Sequence, residues 1–148
     1  IRPETYISSY DLIRMAKFVM VYNSTIGLEA SILGALVLAA GRSRYSQADT
    51  VNFPASRQEY QRELEKLLLA QAVSAPERCR QNARRFLYYQ LYRSSLPFDA
   101  FLEEDQTWAG YVRLKTFDPR ELLPENSPTM RVISDGLLAG GDFLLKED

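Results

Sequence analysis

The segment Phe18–Gly41, "FVMVYNSTIGLEASILGALVLAAG", decides the fold of this 148-residue chain. Continuous apolar runs such as those at its two ends are typical of parallel strands that are covered on both faces. Between them, the spacing of Ile26, Glu29 and Leu33 predicts a short helix that ends at Gly34. A strand, a helix and a strand form a βαβ unit, in which the strands are parallel and the crossover is right-handed.

Capping signals predict four more helices outside this segment. Serine or serine-proline signals start them at Ser8, Ser56, Ser74 and Ser127. The polar stretch Arg42–Pro54 is predicted as a long loop, and "GYVRLKTF" (110–117) as a short strand or an extended segment. We therefore predict one α/β domain over residues 1–148 with a helix-rich C-terminal part. The predicted strands are too few for a complete sheet, so either the prediction misses strands or more strands lie upstream, and we expect the chain to be a fragment.

Composition restricts the classes of function. A formal net charge of −1 gives no reason to expect a nucleic-acid partner. The chain has no histidine and a single cysteine, Cys79, which leaves too few soft ligands for a zinc or haem site and disfavours a free-standing hydrolase. No apolar run approaches the roughly 18 residues that would span a membrane. We expect a soluble, cytoplasmic protein without a metal or another cofactor.

Three small polar residues follow the first predicted strand. Ligands of open α/β sheets bind where strands end and loops lead into helices, and Asn23, Ser24 and Thr25 lie at such a point. Their amides and hydroxyls suit a phosphate, whereas Glu29, one helical turn later, suits sugar hydroxyls. The alternative is structural, because Asn and Ser commonly cap helices and Glu29 then faces solvent. No glycine-rich turn is present, which disfavours NAD and ATP.

The order of these residues resembles a known family. "YNSTIGLEASILGALVLAAGRSRYS" is similar to the "NSTxGLEA" region of the capsule polysaccharide biosynthesis family, and "SSYDLI" (8–13) matches the segment that precedes it there. Looser similarity extends through "SRQEYQRELEKLL" (56–68), "RRFLYYQLYRSSLPFDAF" (84–101) and "ISDGLLAGGDF" (133–143). Two departures are the missing His-Pro segment and the pair Ala35–Leu36, where the family has a basic residue and proline.

The resemblance implies the C-terminal, donor-binding half of a GT-B glycosyltransferase, a Rossmann-like three-layer α/β/α domain. It implies that Asn23, Ser24 and Thr25 hold the donor nucleotide phosphate, and that Glu29, Gly41 and Tyr45 contribute to binding sugar or ribose. Arg42 and Arg44 lie outside the motif, and we predict them as phosphate contacts from their charge. The catalytic residues stay unassigned.

The expected ligand is a nucleotide-activated sugar linked to CMP, UDP or GDP, used in surface polysaccharide synthesis. The glycan acceptor is expected on an N-terminal half outside this chain, so the isolated chain should be inactive. Peripheral association with the inner membrane or a biosynthetic complex is a further expectation. The alternatives are a non-catalytic α/β scaffold domain in the same process and, as a weaker one, a sugar-nucleotide epimerase-like half.

Three other features have simpler interpretations. The basic and aromatic helix 77–92 is predicted to divide its side chains between core and solvent, although nucleic acid or a membrane surface also fits that composition. The acidic cluster Asp99, Glu103, Glu104 and Asp105 is predicted as a solvated loop rather than a cation site. Cys79, Trp108 and Tyr111 are predicted as packing residues.

Overall fold

A computed structural model describes residues 7–145 of the chain. The chain divides after Leu87 into two compact units, Ile1–Leu87 and Tyr88–Asp148. The expectation that residues 1–148 form a single domain stays a prediction, because this division does not decide whether the two parts fold independently.

Helices alternate with two short strands in the first unit. Its elements are α1 (Ser9–Met15), β1 (Val19–Val21), α2 (Ile26–Ile32), β2 (Val37–Ala39), α3 (Arg57–Leu69) and α4 (Glu77–Tyr88), whose last residue lies at the boundary. The second unit contains a π-helix (Tyr89–Arg93), a 3-10 helix (Asp99–Phe101), β3 (Leu102–Glu104), β4 (Val112–Leu114), a second 3-10 helix (Pro119–Leu122) and α5 (Pro128–Ala139). The mixed α/β class is thus confirmed.

The first unit is built on the predicted βαβ unit. Strands β1 and β2 are parallel, with Val19 opposite Val37 and Val21 opposite Ala39. Helix α2 ends just before Gly34. The backbone there is left-handed, with φ +90°, a conformation that glycine adopts without steric cost. Asn52 forms a further parallel bridge to Leu38, so the loop after β2 returns beside it.

The core of the first unit surrounds this strand pair. Leu38 is completely buried in β2, and Leu28 and Ala30 of α2 are buried on the helix face that packs over the strands. Ile13 of α1 and Ala83 of α4 join the same hydrophobic cluster. Helices and loop therefore enclose β2, and the buried polar side chains among the described residues have hydrogen-bond partners.

Predicted caps account for the starts of three helices. Ser8 Oγ accepts a hydrogen bond from the Tyr10 amide at α1, and Ser56 Oγ accepts one from the Glu59 amide at α3. Ser127 Oγ accepts one from the Met130 amide at α5, which ends in a left-handed Gly140. These local signals were readable because a serine cap needs partners only two or three residues away.

The second unit contains a two-stranded antiparallel sheet in which Leu102 pairs with Leu114. Phe101 is buried before β3 and contacts the rings of Phe98 and Phe117, with centroids 4.8 and 5.0 Å away. The prediction of a strand within 110–117 is confirmed by β4. Its partner β3 was predicted as part of an acidic loop, which was wrong because cross-strand pairing outweighed the low strand propensity of glutamate.

The aromatic residues near this hairpin are exposed. Trp108 and Tyr111 keep 67% and 69% of their surface accessible, so the prediction that they pack into a core was wrong. They lie in the short connection between β3 and β4, where a two-stranded ribbon offers no second layer to cover them. Within residues 7–145, no helix combines the length and the apolar character needed to cross a membrane.

Candidate functional site

The parallel pairing continues past the ends of β1 and β2. The Ala40 amide donates to the Val21 carbonyl at 2.9 Å, and the Gly41 amide donates to the Tyr22 carbonyl at 2.7 Å. The chain then leaves both strands at the same, carboxyl edge of the sheet. The segment that begins at Asn23 and the segment that begins at Arg42 are therefore neighbours, as the parallel strands predicted.

The predicted phosphate-binding residues are accessible. Asn23, Ser24 and Thr25 are all exposed, and Thr25 occupies the N-cap position of α2 without a side-chain capping bond. Ser24 Oγ accepts only a long hydrogen bond, 3.4 Å, from the Ile26 amide. Within residues 7–145 the side chains of Asn23 and Thr25 form no hydrogen bond. One long hydrogen bond therefore engages Ser24 Oγ, and the side chains of Asn23 and Thr25 are available to a ligand.

The two predicted cations follow Gly41 directly. Arg42 and Arg44 are exposed, and neither forms an ion pair with another residue of the described range 7–145. Arg78 of this unit pairs with Asp49 at 3.2 Å and Arg80 pairs with Glu77 at 3.8 Å, whereas other arginines on α3 and α4 have no ion pair among residues 7–145. The carboxyl edge thus carries two unpaired positive charges beside the Asn23–Thr25 loop.

Glu29 is held by a residue that sequence reasoning did not include in the site. The Tyr10 hydroxyl donates to Glu29 Oε2 at 2.5 Å, across 19 positions in sequence. This hydrogen bond and the charge of the carboxylate raise the pKa of the Tyr10 phenol. The signal that pointed to Tyr10 is its place in "SSYDLI", the other half of the family-like pattern. The structure brings the two halves into contact.

Tyr45 lies beneath the loop rather than on its surface. Only 3% of it is exposed, its hydroxyl donates to the Ser24 carbonyl at 2.5 Å, and its ring packs edge-on to Phe86. Burial raises the pKa of the Tyr45 phenol. The phenol therefore supports the backbone of the predicted phosphate loop. Whether it also contacts sugar or ribose stays a prediction.

Two glycines of the motif allow close packing at this edge. A Cβ at Gly27 would lie 2.5 Å from the Tyr45 hydroxyl and 2.9 Å from Val21 Cγ2. A Cβ at Gly41 would lie 2.9 Å from the Tyr22 ring and 3.0 Å from the Tyr22 carbonyl oxygen. The Gly27 distances and the distance from Gly41 to the Tyr22 ring are shorter than real Cβ contacts, so Gly27 admits Tyr45 and Gly41 admits the strand-to-strand pairing. Gly41 is buried and offers no side chain to a ligand.

The loop after β2 is fastened to α2 by buried polar groups. Thr50 Oγ1 donates to the Tyr45 carbonyl at 2.7 Å, and Ser31 Oγ donates to the Thr50 carbonyl at 2.5 Å. Both side chains are at most 1% exposed, so these bonds are shielded from water. The segment predicted as an open loop is therefore fixed against the helix that carries Glu29.

A cleft of about 530 Å³ lies elsewhere in the first unit, beside the amino end of β2. Leu36 and Val37 line it together with Asp49, Arg78 and Cys79. Burial and the nearby Asp49 carboxylate raise the pKa of the Cys79 thiol, although Arg78 opposes them. Cys79 is thus a partly buried, weakly acidic thiol, in agreement with its prediction as a packing residue.

The described part of the chain, 7–145, contains no group of three or more Cys, Asp or Glu side chains arranged to hold a metal ion. Members of the acidic cluster have other partners. Glu103 pairs with Arg113 at 2.7 Å across β3 and β4, and Asp105 Oδ1 accepts hydrogen bonds from the Thr107 and Trp108 amides. These carboxylates stabilise the hairpin and its turn.

Comparison with protein families, curated proteins and solved structures finds no match for this chain. The resemblance to the capsule polysaccharide biosynthesis family therefore stands on the residues quoted above, and what it implies is a proposal.

Proposed function

We propose that this chain is the donor-binding part of a GT-B type glycosyltransferase, in which it binds a nucleotide-activated sugar for capsule or surface polysaccharide synthesis. The observation that carries the proposal is the exposed carboxyl edge of β1 and β2. There the hydroxyl of Thr25 and the guanidinium groups of Arg42 and Arg44 have no partners among residues 7–145, beside a motif similar to that family's donor loop.

The chemistry of this edge suits a leaving nucleotide phosphate. In glycosyl transfer, negative charge develops on the phosphate as the sugar departs, and preorganised donors stabilise that charge without reorganising during the reaction. In the proposed site the Ser24 and Thr25 hydroxyls donate to phosphate oxygens, and Arg42 and Arg44 supply positive charge. Glu29 accepts hydrogen bonds from the ribose or the transferred sugar. Neither a metal ion nor another cofactor has a role in this proposal.

The proposal assigns only half of the reaction to these residues. The glycan acceptor and the catalytic base belong to the N-terminal half of such an enzyme, and the isolated chain is proposed to bind donor without transferring sugar. The Rossmann-like three-layer arrangement is part of this proposal, because two strands and one bridge form only a small part of such a sheet. The proposal also includes a cytoplasmic location and peripheral association with the inner membrane or a biosynthetic complex.

A scaffold domain without a ligand is the second candidate, and a specific observation favours it. Several motif residues have structural explanations: Ser24 Oγ accepts a hydrogen bond from the Ile26 amide, Tyr45 holds the Ser24 carbonyl, and Gly27 makes room for Tyr45. If packing alone explains the motif, the chain needs no donor nucleotide. The two candidates differ in what they predict for the unpaired side chains, since packing gives no role to Thr25, Arg42 or Arg44.

Calorimetric titration with CMP, CDP, UDP and GDP tests the proposal on the wild-type chain and on the variant S24A/E29A. The proposed function predicts that one nucleotide binds and that the double variant loses this binding while remaining folded by circular dichroism. A variant E65A, whose carboxylate is exposed on α3, removes the same charge as E29A and serves as the charge-matched control. A folded wild-type chain that binds none of the four nucleotides supports the scaffold candidate instead.

A further inference from the structure

Tyr10 makes a contact that the donor-site hypothesis alone does not explain. We propose that Tyr10 is a positioning residue, which orients the Glu29 carboxylate toward the hydroxyls of the donor's ribose or sugar. The inference rests on the proposed function and names a specificity-determining residue of that site. Its physical basis is the hydrogen bond of 2.5 Å from the Tyr10 hydroxyl to Glu29 Oε2.

A glutamate on a short helix has little to fix its direction by itself. Glu29 is half-buried on α2, which is seven residues long, and its side chain has three rotatable bonds. Among residues 7–145, Tyr10 is the only hydrogen-bond donor to the Glu29 carboxylate, and Glu29 Oε1 accepts no hydrogen bond. A carboxylate accepts about four hydrogen bonds, so the bond to Oε2 leaves other acceptor positions unfilled. Tyr10 thus fixes one oxygen and leaves the other for a ligand.

The helix that carries Tyr10 is itself anchored. Ser8 caps α1 through the Tyr10 amide, and Ile13 on the same helix is buried in the core of the first unit. Just after the helix, the Lys17 ammonium donates to the carbonyls of Leu68 and Ala70 at the end of α3. The phenol therefore projects from a fixed backbone. A donor on an anchored helix restrains a mobile carboxylate more than a solvent molecule does.

Exposure limits what this contact contributes to stability. Tyr10 retains 45% of its accessible surface, although buried positions are where a hydrogen-bonded tyrosine contributes most to folding. Removal of the hydroxyl should therefore leave the fold intact. Y10F is then a variant in which the orientation of Glu29 changes while the site's other groups stay in place.

The contact itself is tested first, without any ligand. In chain labelled with 3-fluorotyrosine, the ¹⁹F resonance that is missing from Y10F identifies Tyr10, and its position is followed during a pH titration. We expect the pKa of this phenol to fall in E29A, because both the accepted hydrogen bond and the carboxylate charge are removed. An unchanged titration in E29A overturns the contact and the inference with it.

Positioning is tested by a double-mutant cycle on nucleotide affinity. Binding of CMP, CDP, UDP and GDP is measured for wild type, Y10F, E29A and Y10F/E29A by ligand-observed NMR, which reaches millimolar dissociation constants. We expect Y10F to lower the affinity for the nucleotide that binds about three- to tenfold, as for loss of one hydrogen bond. In the E29A background, Y10F should cause no further loss of affinity. Y111F, which changes an exposed tyrosine of the second unit, should have no effect.

The outcomes separate the inference from the proposed function. A wild-type chain that binds none of the nucleotides overturns both. Binding that Y10F weakens equally in the presence and absence of Glu29 shows that Tyr10 contacts the ligand directly, which overturns the positioning role alone. Binding that Y10F does not change also overturns it. Only a loss that depends on Glu29 supports it.

Discussion

Replacing Gly27 with alanine should destabilise the first unit, although the same change usually stabilises a helix. In a helix interior, Gly→Ala ordinarily gains about 1 kcal/mol of stability from intrinsic propensity, and Gly27, the second residue of α2, gains at most this much. At this position, however, the new methyl group would lie 2.5 Å from the Tyr45 hydroxyl and 2.9 Å from Val21 Cγ2. Tyr45 is buried and cannot turn away into solvent, so the methyl group must displace it or α2.

The size of the effect follows from two costs. Overpacking a core costs about 1–3 kcal/mol. Moving the phenol also breaks its hydrogen bond to the Ser24 carbonyl, a net loss of about 1 kcal/mol. After the propensity gain is subtracted, we expect G27A to lower the free energy of unfolding by about 1–3 kcal/mol.

Urea unfolding followed by far-ultraviolet circular dichroism measures this change, because the chain's one tryptophan, Trp108, lies in the second unit. Y45F removes the phenol oxygen, which would lie 2.5 Å from the new Cβ at position 27. The nearest carbon of the ring would then be 3.4 Å from that Cβ. The double variant G27A/Y45F should therefore lose less stability than the two single variants predict by addition. Y60F, at a half-buried site on α3, is the control for removal of a phenol hydroxyl. A G27A chain as stable as wild type would refute the packing of Tyr45 against α2.

Three further perturbations have defined outcomes. G41A should lower the free energy of unfolding by about 1–3 kcal/mol in the same assay, because its Cβ would lie 3.0 Å from the Tyr22 carbonyl oxygen, which cannot rotate away. An unchanged urea midpoint would contradict the pairing at the ends of β1 and β2. R42A/R44A should change stability by less than about 0.5 kcal/mol, whereas nucleotide affinity measured by calorimetry should fall, and fall more at low than at high salt. Iodoacetamide should alkylate Cys79 slowly at neutral pH, because its raised pKa reduces the thiolate fraction, and the rate should increase as pH rises. D49N removes one cause of that shift, so the rate profile should move to lower pH; an identical profile would contradict the influence of Asp49 on the thiol.

The parts of the fold that were predictable from sequence depend on neighbours in the chain. The βαβ unit was readable because its two apolar runs lie on either side of a helix-spaced segment that ends at Gly34. Serine caps at Ser8 and Ser56 act over two or three residues, so they too were visible. Periodicity and caps are local signals, and they agree here with the tertiary structure.

Contacts between distant segments were not predictable in this way. The bond from Tyr10 to Glu29 spans 19 positions, and the bond from Tyr45 to Ser24 spans 21. No periodicity indicates which tyrosine is buried and which is exposed. The sequence therefore did not indicate that Tyr45 lies buried under the loop. Strand β3 was not predicted for a similar reason, because its extended conformation depends on pairing with β4, which is distant in sequence.

The fastening of the loop after β2 also decides where the chain tolerates added sequence. By composition, Arg42–Pro54 is the natural choice for an inserted peptide tag or for new termini in a circular permutant, because it is long, polar and rich in turn residues. Its buried Tyr45 and Thr50, however, connect β2 to α2, so an insertion there would separate the motif from its support. The exposed residues Gln71 and Ala72, between α3 and α4, offer the better point at which to open the chain.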